Sequence, residues 1–68
     1  MMATITFTSL HGTILQGKVQ ETRKIKGLNV SFVKMLNRIY AICDNYSISE
    51  SYEGEDKKVF EQSIINQL

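Results

Sequence analysis

Hydrophobic and polar positions along this chain change period from one end to the other. Residues Ala3 to Ser9, ATITFTS, set Thr4, Thr6 and Thr8 against Ile5 and Phe7. That two-residue period, rich in β-branched side chains, predicts a half-buried strand. His11-Gly12 interrupts it, and glycine allows a tight reversal there. Thr13 to Gln20, TILQGKVQ, then returns as a second strand with Leu15 and Val19 on one face and Gly17 between them. A glycine inside a strand marks a bulge or a close backbone approach. Glu21 to Lys26, ETRKIK, fits either an extension of that strand or a helical turn, and Gly27 ends the pattern.

The next stretch, SFVKMLNRIYAICDNY from Ser31 to Tyr46, reads differently. Wound at about 100° per residue, it gathers Phe32, Met35, Leu36, Ile39, Tyr40, Ile42, Cys43 and Tyr46 on one side. Lys34, Asn37, Arg38, Ala41, Asp44 and Asn45 take the other. This spacing predicts a helix over residues 30–45, with Asn29 or Ser31 as its N-cap, since a short side-chain oxygen satisfies the first free N–H groups. A rival reading exists. Leu28, Val30 and Phe32 alternate with Asn29 and Ser31, and RIYAIC forms a strand after a Leu36-Asn37 turn. That gives a five-stranded barrel with turns at His11-Gly12, Lys26-Gly27, Leu36-Asn37 and Asp44-Asn45. The helix is preferred here because its apolar positions keep one side for about four turns.

Beyond it, YSISESY places Tyr46, Ile48, Glu50 and Tyr52 opposite Ser47, Ser49 and Ser51, a short third strand. Gly54 breaks the chain, Asp56 is an N-cap, and KKVFEQSIINQL forms a short terminal helix with Val59, Phe60, Ser63, Ile64 and Gln67 on one face. The expected fold class is therefore α+β. A small antiparallel sheet, the N-terminal hairpin plus a third strand, is covered by one long amphipathic helix, with a short C-terminal helix.

Size bounds the rest. The 68 residues make a single small domain, 1–68, and a core of that size rarely supplies more than roughly 3–5 kcal/mol. With one cysteine, Cys43, and one histidine, His11, neither an internal disulfide nor a Cys/His zinc cluster can form. Oligomerisation or docking on something larger is the remaining aid. The net charge of +1 gives no global bias toward nucleic acid. MMATITFTSL lacks a basic segment followed by an apolar run, so no signal peptide is expected. No apolar run reaches membrane-spanning length. A free cysteine without a secretion signal suggests the cytoplasm.

Catalysis finds little support. His11 lies in a predicted turn and Cys43 on the apolar stripe, where a buried thiol acts as a small hydrophobe. The chain is expected to be no enzyme, with no cofactor, no metal, no membrane contact and no small-molecule substrate. The cluster Glu50, Glu53, Glu55 and Asp56 lacks the ligand spacing of a calcium loop, but it offers a docking surface. Tyr40, Tyr46 and Tyr52 add the residue type favoured at interfaces. The expected function is a non-enzymatic, regulatory protein-binding module. It acts on a larger protein partner, or by self-association through the long helix or the free edge of the first hairpin. Its contact residues are Arg38, Tyr40, Tyr46, Glu50, Tyr52, Glu53, Glu55 and Asp56.

The alternative is a nucleic-acid-binding regulator. VQETRKIKGLNVSFVKMLNRI, residues 19–39, resembles a helix-turn-helix over about a third of the chain, with Gly27 as the turn glycine and Val33 and Leu36 as core positions. The resemblance implies that Lys34, Asn37 and Arg38 face a major groove. Without that motif, Arg23, Lys24, Lys26, Lys34 and Arg38 could still hold phosphates. Arg23 and Lys26 depart from the pattern, standing where it calls for a small and an apolar residue.

Overall fold

The computed structural model describes residues 3–52 and 54–68. Five strands come in order: β1 (Thr4–Thr8), β2 (Ile14–Ile25), β3 (Leu28–Met35), β4 (Arg38–Cys43) and β5 (Tyr46–Tyr52). One helix follows, α1 (Lys57–Gln67). Each strand pairs antiparallel with the next, and the meander closes into a barrel where β1 meets β5 in parallel at Thr8 and Tyr46.

The turns explain the meander. Lys26-Gly27 and Asp44-Asn45 both hold positive φ at two successive residues, 52° and 79°, then 53° and 67°. Two-residue hairpins of that geometry match the right-handed twist of their strands, and Gly, Asn and Asp are the residues that tolerate it.

Two cores result. Inside the barrel, Phe7, Val33, Tyr40 and Ile42 are buried, with Ile5, Leu15, Val19 and Met35 packed around them. The Phe7 and Tyr40 rings meet at 5.2 Å between centroids. Outside the barrel wall, Val30, Phe32 and Ala41 pack against Phe60 and Ile64 of α1. Phe32 and Phe60 meet edge to face at 6.2 Å. The register of β2 against β3 shifts between Val19 and Glu21. This bulge reverses which alternate residues face inward. Before it Leu15 and Val19 join the interior; after it Ile25 joins the outer core.

The long helix expected over residues 30–45 does not exist. That segment is β3, a two-residue turn and β4, so the α+β arrangement of a small sheet under a long helix is replaced by a five-stranded barrel with one short helix. The helix-turn-helix resemblance over residues 19–39 falls with it, because that segment is β2, β3 and the start of β4. The physical reason lies in double coverage. Val30 and Phe32 point to α1 while Val33 points into the barrel. A strand buried on both faces shows a near-continuous apolar run and not a clean alternation. Across the two-residue turn, Phe32 and Ile39 of the outer core stand seven residues apart, close to two helical turns.

The helix itself starts at its N-cap, where Asp56 accepts the Lys58 N–H at 2.8 Å. Three serines of β5, Ser47, Ser49 and Ser51, are buried. The Ser49 and Ser63 hydroxyls bond at 2.8 Å across the sheet–helix contact. Among the described residues no buried side-chain polar atom lacks a partner, and no helix is long and apolar enough to cross a membrane.

Candidate interaction surface at one end of the barrel

β1, β3 and β5 run the same way round the meander, so their C-terminal ends meet at one end of the barrel. The loop after β1, the Leu36-Asn37 turn and the Gly54–Asp56 stretch all emerge there. This end carries an unusual set of exposed apolar side chains: Leu10 at 57%, Ile14 at 73%, Tyr52 at 57% and Leu36 at 97% exposure. Leu36 also holds φ at 55°. A bulky L residue there is strained, and in a two-residue hairpin glycine, Asn or Asp is the ordinary occupant.

A polar pivot organises the same end. The Glu50 side chain, only 11% exposed, accepts the Leu10 N–H at 2.9 Å and the Ser47 hydroxyl at 3.5 Å. Arg38 Nη1 lies 3.9 Å from the other carboxylate oxygen, and its guanidinium sits 5.0 Å over the Tyr52 ring. Glu55 accepts the Ser51 hydroxyl at 2.8 Å and the Tyr52 N–H at 3.3 Å. Thus Tyr52 is engaged twice, by a cation over one face of its ring and by a carboxylate at its backbone N–H. Such pairings fix a side chain that solvent alone would leave to rotate.

Of the contact residues expected from the sequence, the fold brings Arg38, Glu50, Tyr52 and Glu55 together at this end. Tyr40 turns inward and is 7% exposed, leaving a partner almost nothing to touch. Tyr46 is exposed, but it lies at the seam opposite Thr8. Asp56 is engaged as the helix cap. Glu53 lies outside the described residues. Leu10, Ile14 and Leu36 are not among the expected contacts; an apolar residue at a strand end carries no signal until the strand is placed.

Of the basic residues, Arg23 and Lys34 line one groove, while Lys24 and Lys26 sit at the β2–β3 hairpin and Arg38 at the opposite end of the barrel. Arg23 lies 2.9 Å from Glu21 and 3.2 Å from Glu61, with its guanidinium 4.7 Å over Phe32. Lys24 and Lys26 belong to the β2–β3 hairpin, whose turn is at the far end of the barrel from Arg38. Lys34 borders an open groove of about 550 Å³ between β3 and α1, which Phe32, Phe60, Glu21, Glu61 and Lys57 also line. Three cations, Arg23, Lys34 and Lys57, and two carboxylates, Glu21 and Glu61, line that groove, so it offers no single sign of charge to an ionic ligand. Comparison with known protein families, curated proteins and solved structures finds no match for this chain.

Proposed function

We propose that the chain is a small non-enzymatic docking module that binds a larger protein through the barrel end formed by Leu10, Leu36, Arg38 and Tyr52. The observation that carries this reading is Leu36, almost wholly exposed at a strained backbone position. Strain of that kind costs about 1–3 kcal/mol and gathers at functional sites. Tyr52 and Arg38 beside it are of the types that anchor protein interfaces, and their mutual stacking pre-arranges both. Glu50 ties the loop bearing Leu10 to the strand bearing Tyr52, so the surface is held in shape before any partner arrives.

The nucleic-acid alternative has less support, since Arg23 and Arg38 are each engaged by carboxylates and stand on different parts of the barrel. A photo-crosslinking side chain placed at position 36 or 52 and irradiated in the cell of origin is expected to give a discrete adduct with one protein. The same group at Gln62, exposed on α1, serves as control. Adducts identical from all three positions, or none at 36 and 52, would overturn the proposal.

A further inference from the structure

We propose that the seam-side edge of β1 pairs with the same edge of a second copy of this chain, forming a two-fold dimer through an antiparallel β1–β1 ladder. The backbone bonds show which groups are free. Val19 N–H donates to the Ala3 carbonyl at 2.8 Å and Ser9 N–H to the Thr13 carbonyl at 2.8 Å, so odd-numbered residues of this segment bond toward β2. Thr8 N–H points the other way, to the Asn45 carbonyl at 2.9 Å. Along a strand these directions alternate. Thr4 and Thr6 therefore aim their N–H and C=O groups at the seam. β5 reaches β1 only at Thr8, and among the described residues nothing bonds those groups of Thr4 and Thr6.

Natural edge strands are usually blunted by charge, proline or a bulge. The strand TITFT has none of these, and its register against β2 runs unbroken from Thr4–Lys18 to Thr8–Ile14. Both threonines are exposed, and Ile5 between them is only half-buried. The free groups are also self-complementary. With a second copy antiparallel, Thr4 faces Thr6 of the other chain and Thr6 faces Thr4. Each such pair exchanges two hydrogen bonds, about four in all, and Ile5 faces its counterpart on the two-fold axis. Sliding the ladder by two residues would bring in Thr8, whose N–H is already taken by Asn45. The Thr4–Thr6 register keeps every pair inside β1 and avoids the occupied Thr8 N–H, and its interface is isologous, as a closed dimer requires. This edge lies away from the Leu36 end, so the inference stands apart from the docking surface.

The test uses sedimentation of the full chain across a concentration series, with Thr6→Pro and, in a Cys43→Ser background, Ile5→Cys. Proline at position 6 removes an N–H the barrel itself does not use. Across a non-hydrogen-bonded pair the Cα atoms lie about 4.5 Å apart, within reach of a disulfide. The expected result is a monomer–dimer equilibrium, at least tenfold weaker in Thr6→Pro, with Ile5→Cys forming oxidised dimers that a His11→Cys control does not. A wild-type chain that stays monomeric at millimolar concentration overturns the inference. So does a dimer in which Ile5→Cys links no better than the control. Should Thr6→Pro fail to fold, the cross-linking result decides alone. A monomer whose β1 edge is covered only by a strand of another protein counts against the second copy.

Discussion

Replacing Gly17 by alanine puts the barrel's interior spacing to a quantitative test. Gly17 sits on β2 opposite Ile5. A Cβ there would lie 2.5 Å from Val33 Cγ1 and 3.4 Å from the Met35 sulfur. Met35 is a flexible side chain and can yield, but Val33 is fully buried and β-branched residues are stiff at χ1. Either the β2 and β3 backbones separate or Val33 leaves its rotamer. Such overpacking costs about 1–3 kcal/mol. The lower entropy of the unfolded alanine chain offsets about 0.4–1 kcal/mol of that. The centres of those ranges leave a net loss of about 1–2 kcal/mol, a large share of the roughly 3–5 kcal/mol that a core this small rarely exceeds. At about 4–8 °C per kcal/mol for a domain of this size, Tm should fall by about 5–15 °C in thermal melts followed by circular dichroism. A double-mutant cycle with Val33→Ala isolates the cause, because removing Cγ1 removes the clash. The double variant should be more stable than the sum of its parents by about 1 kcal/mol. Additive losses, or an unchanged Tm for Gly17→Ala alone, would refute the close approach.

Other substitutions probe separate parts of the molecule. Asp56→Ala deletes the helix cap and should cost about 1 kcal/mol in urea titration, with Asp56→Asn retaining most of it. Ser49→Ala leaves the part-buried Ser63 hydroxyl without its partner and should lower the urea midpoint by an amount equal to about 1 kcal/mol, whereas Ser49→Ala with Ser63→Ala should recover part of the loss. Leu36→Asn places a residue that tolerates positive φ there and removes an exposed apolar side chain; it should raise stability by up to about 1 kcal/mol while reducing capture of the docking partner. A variant that loses stability there would remove the strain from the account. In a low-salt gel shift, duplex DNA should migrate unchanged with the wild-type chain. Retardation that weakens steeply with added salt would restore the nucleic-acid alternative.

Much of the chain announces its structure locally. The threonine alternation gives β1, His11-Gly12 falls between β1 and β2, and Asp56 caps the terminal helix. Gly17 marks the close approach of Val33. The middle misleads because its burial is set by elements distant in sequence. Only once Phe60 and Ile64 lie on the outer wall do Val30 and Phe32 become core on the face opposite Val33. Without them the segment looks like one oily stripe. The strongest local argument against a helix is Asp44-Asn45, a pair suited to two successive left-handed residues, and it coincides with a turn of the rival barrel. β5 inverts ordinary expectation, since its small serines are buried and its tyrosines exposed. Ser49 meets α1 through the Ser63 hydroxyl, Ser47 donates to the Ser49 carbonyl and Ser51 to the Glu55 carboxylate, so each buried hydroxyl keeps a partner. At the candidate surface, Arg38, Glu50, Tyr52 and Glu55 were legible by residue type. Leu36 enters the sequence reading as part of the apolar stripe and as a turn residue of the rival barrel, because nothing in a leucine's own propensity marks it as exposed.

The way the barrel closes carries a kinetic implication. Every ladder but one joins neighbours in the chain, so each hairpin can form from contacts made within a short loop, at little entropic expense. The junction of Thr8 with Tyr46 is the exception, and it must wait until the intervening strands have curled the ribbon round. Folding should therefore proceed as a growing curved ribbon that becomes a ring only at its final step, and the ring should part first at that same junction when the molecule begins to open.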